Sequence, residues 1–143
     1  MIQTRWAAAV AVLLIVTGCH AGADDAAANR IQWVADLNEG LRLAKENGKP
    51  AMLYFTADWC APCVELKKHV FSDRKVAEAS RRLVNIYVDV DRNHTAAAEY
   101  RVRGIPAIFF LSPGGEIVGR YLGDRTPSSF VKQMNAVASQ HSR

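Results

Sequence analysis

The sequence predicts an α/β fold: a single mixed β-sheet flanked by helices on both faces. Three observations predict it. Short, continuous runs of apolar, β-branched and aromatic residues at 51–57, 83–90 and 107–111 read as strands, the first buried on both faces and the second also buried. Segments between them repeat apolar residues every three or four positions, the helical period. A Ser112-Pro113-Gly114-Gly115 turn joins the last apolar run to residues 116–123 as an antiparallel hairpin. At 143 residues the chain suffices for one domain with a real core.

The elements follow in order. Ile31, Val34, Leu37, Leu41 and Ala44 are spaced by threes and fours, which predicts a first helix over 31–44, ended by Asn47-Gly48. Pro50 opens the first strand, AMLYFTA. VELKKHVF is helical, and Ser72-Asp73 supplies an N-cap for a short helix through Val76 and Ala79. LVNIYVDV is the second strand, and the alanine-rich stretch 95–100 is helical. AIFFL and EIVGRYLG form the hairpin. Thr126-Pro127 starts a last amphipathic helix, with Phe130, Val131, Met134 and Val137 on one face.

Half of the residues are hydrophobic, 22% are charged and the net charge is +4. That balance fits a soluble globular protein. The basic residues are scattered, and Lys67-Lys68 and Arg81-Arg82 read as solvated helix faces, so no nucleic-acid partner is expected.

Residues 1–18 read as a signal peptide. Arg5 is the charged start, and the apolar run at 7–16 spans ten residues where a membrane helix needs about 20. Two cleavage patterns fit. Val16-Thr17-Gly18-Cys19 resembles a bacterial lipobox, with valine where leucine is usual, and makes Cys19 a lipidated N-terminus. The rival is ordinary cleavage after Ala21-Gly22-Ala23. The lipobox accounts for a lone cysteine at the end of the apolar run and removes the odd cysteine from the folded domain. Both patterns place the mature protein outside the cytoplasm, where disulfides persist. Residues 19–30 then form a flexible tether, and 31–140 the domain.

Cys60 and Cys63 stand in TADWCAPC, at the end of a strand and the start of a helix. Unpaired N–H groups and the dipole at a helix N-terminus favour a thiolate, the attacking species. Cys60 is expected to be the exposed nucleophile and Cys63 the more buried resolving thiol. Pro62 suits a first helical turn. A zinc site needs four ligands, and no second CxxC or suitably spaced histidine is present, so no metal is expected. A structural staple across three residues would close almost no loop. No cofactor is expected beyond the cysteine pair itself.

WCAPC after a buried strand, with Gly104-Ile105-Pro106 about forty residues later, resembles the thioredoxin superfamily. KPAMLYFTADWCAPCVELKKHVFSDRKV and RGIPAIFFLSPGGEIVGRYLG are similar to the C-terminal periplasmic domain of DsbD-type thiol:disulfide interchange proteins. The resemblance implies a thioredoxin fold with Pro106 cis beside the disulfide. It implies that the backbone at Ile105 pairs with a substrate chain and that Trp59 flanks the nucleophile. It also implies protein thiol and disulfide substrates, with an electron donor such as a DsbD-type membrane protein.

The sequence departs from that family where the family buries a carboxylate. The position six before Cys60 is Tyr54, its lysine partner's place is Tyr87, and the second acid's place is Lys67. Water, Asp58 or Glu65 is then expected to take up the Cys63 proton, since a tyrosine with a pKa near about 10 is a poor base at neutral pH. Ala61-Pro62 lacks the histidine found between the cysteines of strong oxidants and resembles the Gly-Pro of reducing thioredoxins. The expectation is a membrane-tethered reductase of protein disulfides. The alternatives are a thiol oxidase or isomerase, and a binding module that uses the Ile105 groove without chemistry.

Overall fold

A computed structural model describes residues 29–141. The elements are β1 (Trp33–Val34), α1 (Leu37–Asn47), β2 (Ala51–Thr56), α2 (Ala61–Leu66), α3 (Arg74–Ser80), β3 (Val84–Asp89), α4 (His94–Glu99), β4 (Ala107–Leu111), β5 (Ile117–Arg120) and α5 (Pro127–His141). A π-helical turn, Lys67–Phe71, extends α2. Five strands form one sheet in the order β1-β3-β2-β4-β5. β1 and β2 run parallel to β3, while β4 is antiparallel to both β2 and β5.

β2 is central, and every one of its side chains is buried. Met52 and Tyr54 face the layer built by the α2 region, α3 and α5, among them Leu66, Val70, Phe71, Val76, Phe130 and Met134. Leu53 and Phe55 face the other layer, where Leu37 and Ala44 of α1 and Ala96 of α4 pack with Ile86, Phe109 and Leu111. Burial on both sides explains why β2 and β4 read as unbroken apolar runs. The exposed β5 alone keeps Ile117 and Val118 at the surface.

The N-terminal prediction needs correction. The helix begins at Leu37, not Ile31, and is preceded by a short strand whose Trp33 and Val34 pair with Asn85 and Ile86. Asp36 sets the boundary: its side chain accepts the Glu39 N–H at 2.7 Å, a cap that contributes about 1 kcal/mol. A two-residue strand shows no alternation, and what creates it is the free edge of β3, far away in sequence. At its other end α1 stops on Gly48 at φ 61°, whose N–H reaches the carbonyls of Ala44 and Lys45. Asp73 caps α3 through the N–H groups of Lys75 and Val76, as the sequence suggests.

Two packing details generate expectations. Gly40 lies on α1 against β3, and a Cβ there would come within 2.5 Å of Ile86 Cγ1. Ile86 is fully buried and β-branched, so it has little freedom to yield. Around Tyr54, the rings of Trp33, Phe71 and Tyr87 meet at centroid distances of 5.6, 5.1 and 6.0 Å. Burial in this cluster pushes the Tyr54 phenol above its ordinary pKa, with the neighbouring Thr56 hydroxyl partly opposing the shift.

Gly40→Ala should lower stability by about 1–3 kcal/mol through overpacking, against a helix-propensity gain of about 1 kcal/mol. In an Ile86→Ala background, which removes the clashing atoms, the same substitution should be neutral or stabilising; denaturant midpoints of the four proteins close the cycle. The second expectation concerns pH. Native Tyr54 holds a proton that the unfolded chain releases, so its contribution is complete below the unfolded pKa of about 10 and is lost as pH climbs above it. The unfolding midpoint of the wild type should therefore fall more steeply above about pH 10 than that of Tyr54→Phe, with Tyr100 and Tyr121, also raised by burial, common to both.

Candidate active site

The site forms where β2 ends. Thr56, the last residue of the strand, is fully buried, and Ala57 to Cys60 turn the chain, with the Cys60 N–H bonded to the Ala57 carbonyl at 3.2 Å. Cys60 is the N-cap of α2, extended at φ −82° and ψ 96°. Its carbonyl accepts the N–H groups of Cys63 and Val64 at 3.0 and 3.1 Å. Its Sγ also accepts the Cys63 N–H, at 3.3 Å. Pro62 stands in the first helical turn, where a missing N–H leaves no bond unmade.

Cys60 and Cys63 are joined by a disulfide, with Cα atoms 5.2 Å apart. Cys63 is wholly buried, and Cys60 is 3% exposed, so the expected exposed cysteine is not exposed in this form. The cause is local. The cap bond and the bond to Cys63 both draw the Cys60 sulfur in over the helix end. The exposed group is instead Trp59, at 69%. Its Nε1–H donates to Asp91 Oδ2 at 2.8 Å, which fixes the indole over the surface. Asp91 escaped the sequence reading because the loop after β3 meets this turn only through the fold.

The Ile105–Pro106 peptide is cis. Ile105 and Gly104 share a groove of about 370 Å³ with Trp59, Val90, Ala97 and Val102. Pro106 opens on the other side to a second recess of about 260 Å³, with Leu66, Leu122 and Arg125 in its walls. Trp59 and Ile105, placed together by the resemblance, thus form one surface.

Behind the disulfide, the Tyr54 hydroxyl donates to the Cys63 carbonyl at 3.4 Å. Tyr87 is its direct partner across the parallel pair β2–β3. Lys67 Nζ donates to the Tyr87 hydroxyl at 3.3 Å and lies 5.0 Å from that ring's centroid. The three departures from the family pattern therefore form one contiguous group, Tyr54, Tyr87 and Lys67, lining a pocket of about 420 Å³ with Trp33 and Phe71. Of the two carboxylates expected to serve Cys63, Glu65 is turned outward and pairs with His69 at 3.0 Å. Asp58 is exposed and lines a separate recess with Asp89 and Arg92. Cys19 lies outside the described residues, as do the leader and most of the tether.

What this arrangement can do is exchange. A cysteine at a helix N-terminus, bonded to a second cysteine one turn on, can open to a dithiol by taking two electrons and two protons, and close again by returning them.

Comparisons with known proteins agree with that chemistry. Residues 37–138 match the thioredoxin-like domain family. Over 116 residues the chain is 34% identical to the thiol:disulfide interchange protein DsbD of Vibrio vulnificus, covering 77% of this chain and 20% of that protein. Over 108 residues it is 39% identical to DsbD of Yersinia enterocolitica, covering 71% and 19% respectively. The chain thus spans about a fifth of the length of these relatives. Among solved structures, a thioredoxin from Thermus thermophilus superposes with a TM-score of 0.69 at 31% identity, over 78% of this chain and 90% of that one. The oxidised C-terminal domain of Neisseria meningitidis DsbD shares the fold, with a TM-score of 0.63 at 24% identity over 74% of this chain and 99% of that one. On its fold, its CxxC disulfide and these relationships, the chain belongs to the thioredoxin-like domain family and is a thiol–disulfide oxidoreductase.

Proposed function

We propose that the protein is an exported, membrane-tethered reductase of protein disulfides. The observation that carries the redox chemistry is the Cys60–Cys63 disulfide at the N-terminus of α2. In the dithiol form, the Cys60 thiolate attacks a substrate disulfide, forming a mixed disulfide and releasing one substrate thiolate, which takes up a proton. Cys63, having given up its proton, then attacks the Cys60 sulfur. The second substrate thiol leaves, and Cys60–Cys63 closes with two electrons fewer. The groove between Trp59 and Ile105 receives the substrate chain, with the backbone at Ile105 pairing as an added strand.

The reducing direction is supported by Ala61-Pro62. Neither side chain offers a positive charge or a hydrogen-bond donor to a Cys60 thiolate, so no side chain between the cysteines adds to what the helix N-terminus gives the reduced form. His69, the nearest histidine in sequence, is on the outer face of the helical region with Glu65. Re-reduction requires a dithiol donor, and similarity to DsbD supports a DsbD-type membrane protein in that role. The lipobox-like Val16 to Cys19 supports attachment by lipid; among the described residues no helix is long and apolar enough to cross a membrane.

The reduction potential of Cys60–Cys63, followed by Trp59 fluorescence in defined thiol/disulfide buffers, should lie near the thioredoxin value of about −270 mV; a value near about −120 mV would make the protein an oxidant. Cys60→Ser should reduce insulin no faster than dithiothreitol alone, and Cys63→Ser should accumulate a mixed disulfide with it. Activity of Cys60→Ser equal to the wild type would leave the binding-module reading. Labelled palmitate should enter the wild type in a bacterial host and not Cys19→Ser; equal labelling would reject the lipid anchor.

A further inference from the structure

Thr56 is fully buried at the end of β2, and its Oγ1 has no hydrogen-bond partner among the described residues. An unpaired buried hydroxyl is uncommon and carries a desolvation cost. Its position is informative. Side chains alternate along β2, so Thr56 shares a face with Met52 and Tyr54, the face that packs against Cys60 and Cys63. The Thr56 hydroxyl lies close enough to the Tyr54 phenol to lower its pKa by hydrogen bonding to the ionised form, but in the neutral form no hydrogen bond of normal geometry joins them, and the phenol donates to the Cys63 carbonyl instead. Thr56 thus stands unpaired on the disulfide's side of the sheet, four residues before Cys60.

In the disulfide form neither sulfur carries a proton or a charge, so there is little for a hydroxyl to bond. Reduction changes this. The disulfide takes two electrons and two protons from a dithiol donor, its S–S bond breaks, and Cys63 becomes a thiol that can donate or a thiolate that accepts. We propose that the Thr56 hydroxyl is the hydrogen-bond partner of the Cys63 sulfur in the dithiol form, a positioning residue that is paired in one redox state and unpaired in the other. Tyr54, held to the Cys63 carbonyl, keeps the first turn of α2 in place while the sulfur swings to Thr56. The inference rests on Cys60–Cys63 being the redox couple.

The sign follows directly. A bond made only after reduction stabilises the dithiol, and a hydroxyl orphaned only before reduction destabilises the disulfide. Both make the pair easier to reduce. Thr56→Val, which keeps shape and removes the hydroxyl, should shift the equilibrium toward the disulfide by about tenfold, the scale of one buried hydrogen bond. For this two-electron couple that is about 30 mV more negative.

The test is equilibration of full-length wild type, Thr56→Val, Thr56→Ala and Thr56→Ser in glutathione or dithiothreitol buffers, with denaturant midpoints of each protein oxidised and reduced. Valine and alanine should shift the equilibrium alike, serine should stay within about twofold of wild type, and the valine protein should gain stability in its oxidised form relative to its reduced form. Alanine carries the test if valine does not fold. Equilibria unchanged in valine and alanine, or shifted equally by serine, would overturn the proposal, as would equal stability changes in both redox forms. A wild type with no reversible transition would reject the redox reading itself, and the inference with it.

Discussion

β2 gives both of its faces to protein, Met52, Tyr54 and Thr56 to one layer and Leu53 and Phe55 to the other, and the rest of the molecule is arranged around that constraint. β2 is also the central strand, with β3 and β4 completing its hydrogen bonds on either edge. Its chain must then leave the sheet at its C-terminal end and fold back over one layer. The turn from Ala57 to Cys60 does so, and places a cysteine where a helix begins. The reactive pair is thus seated just beyond the end of the central, fully buried strand, and its surroundings are set by what β2 buries beneath it.

What it buries is aromatic rather than charged. Tyr54 beside Tyr87, closed in by Trp33 and Phe71, makes the floor of the site a neutral, low-polarity layer with hydroxyl groups as its polar handles. An ionised carboxylate there would need a partner to offset its desolvation. A phenol needs one hydrogen bond, which the Cys63 carbonyl supplies. Lys67 is held at the Tyr87 hydroxyl, and Arg30 lines the same pocket. Among the described residues, the groups bonded on this side of Cys63 are therefore the hydroxyls of Tyr54 and Tyr87 and the Lys67 ammonium.

Most of this was legible in the sequence because it is local. Continuous apolar runs identify β2, β3 and β4; Asp73 and Pro127 identify helix starts; strand, cysteine pair and helix follow one another without interruption. What escaped was created by distant segments. β1 exists because β3 offers an edge, and Asp91 matters because its loop returns to Trp59. The exposure of Cys60 failed for a different reason: helix-terminal placement fixes the direction of the electrostatic field but not where the sulfur points, and bonding to Cys63 draws it inward. Thr56 looked like the unremarkable end of a strand, and only its missing partner sets it apart.

The close approach of α1 to β3 extends beyond stability. Gly40 and Ile86 occupy one space, and a methyl group on the first requires the second to shrink. In a lineage of such sequences the two positions would not drift independently. A glycine on a helix, which local propensity disfavours, would be held there by a side chain 46 positions away. Changes at either site would enter as ordered pairs, the smaller residue at 86 first, and the spacing between helix and sheet would be inherited as a unit.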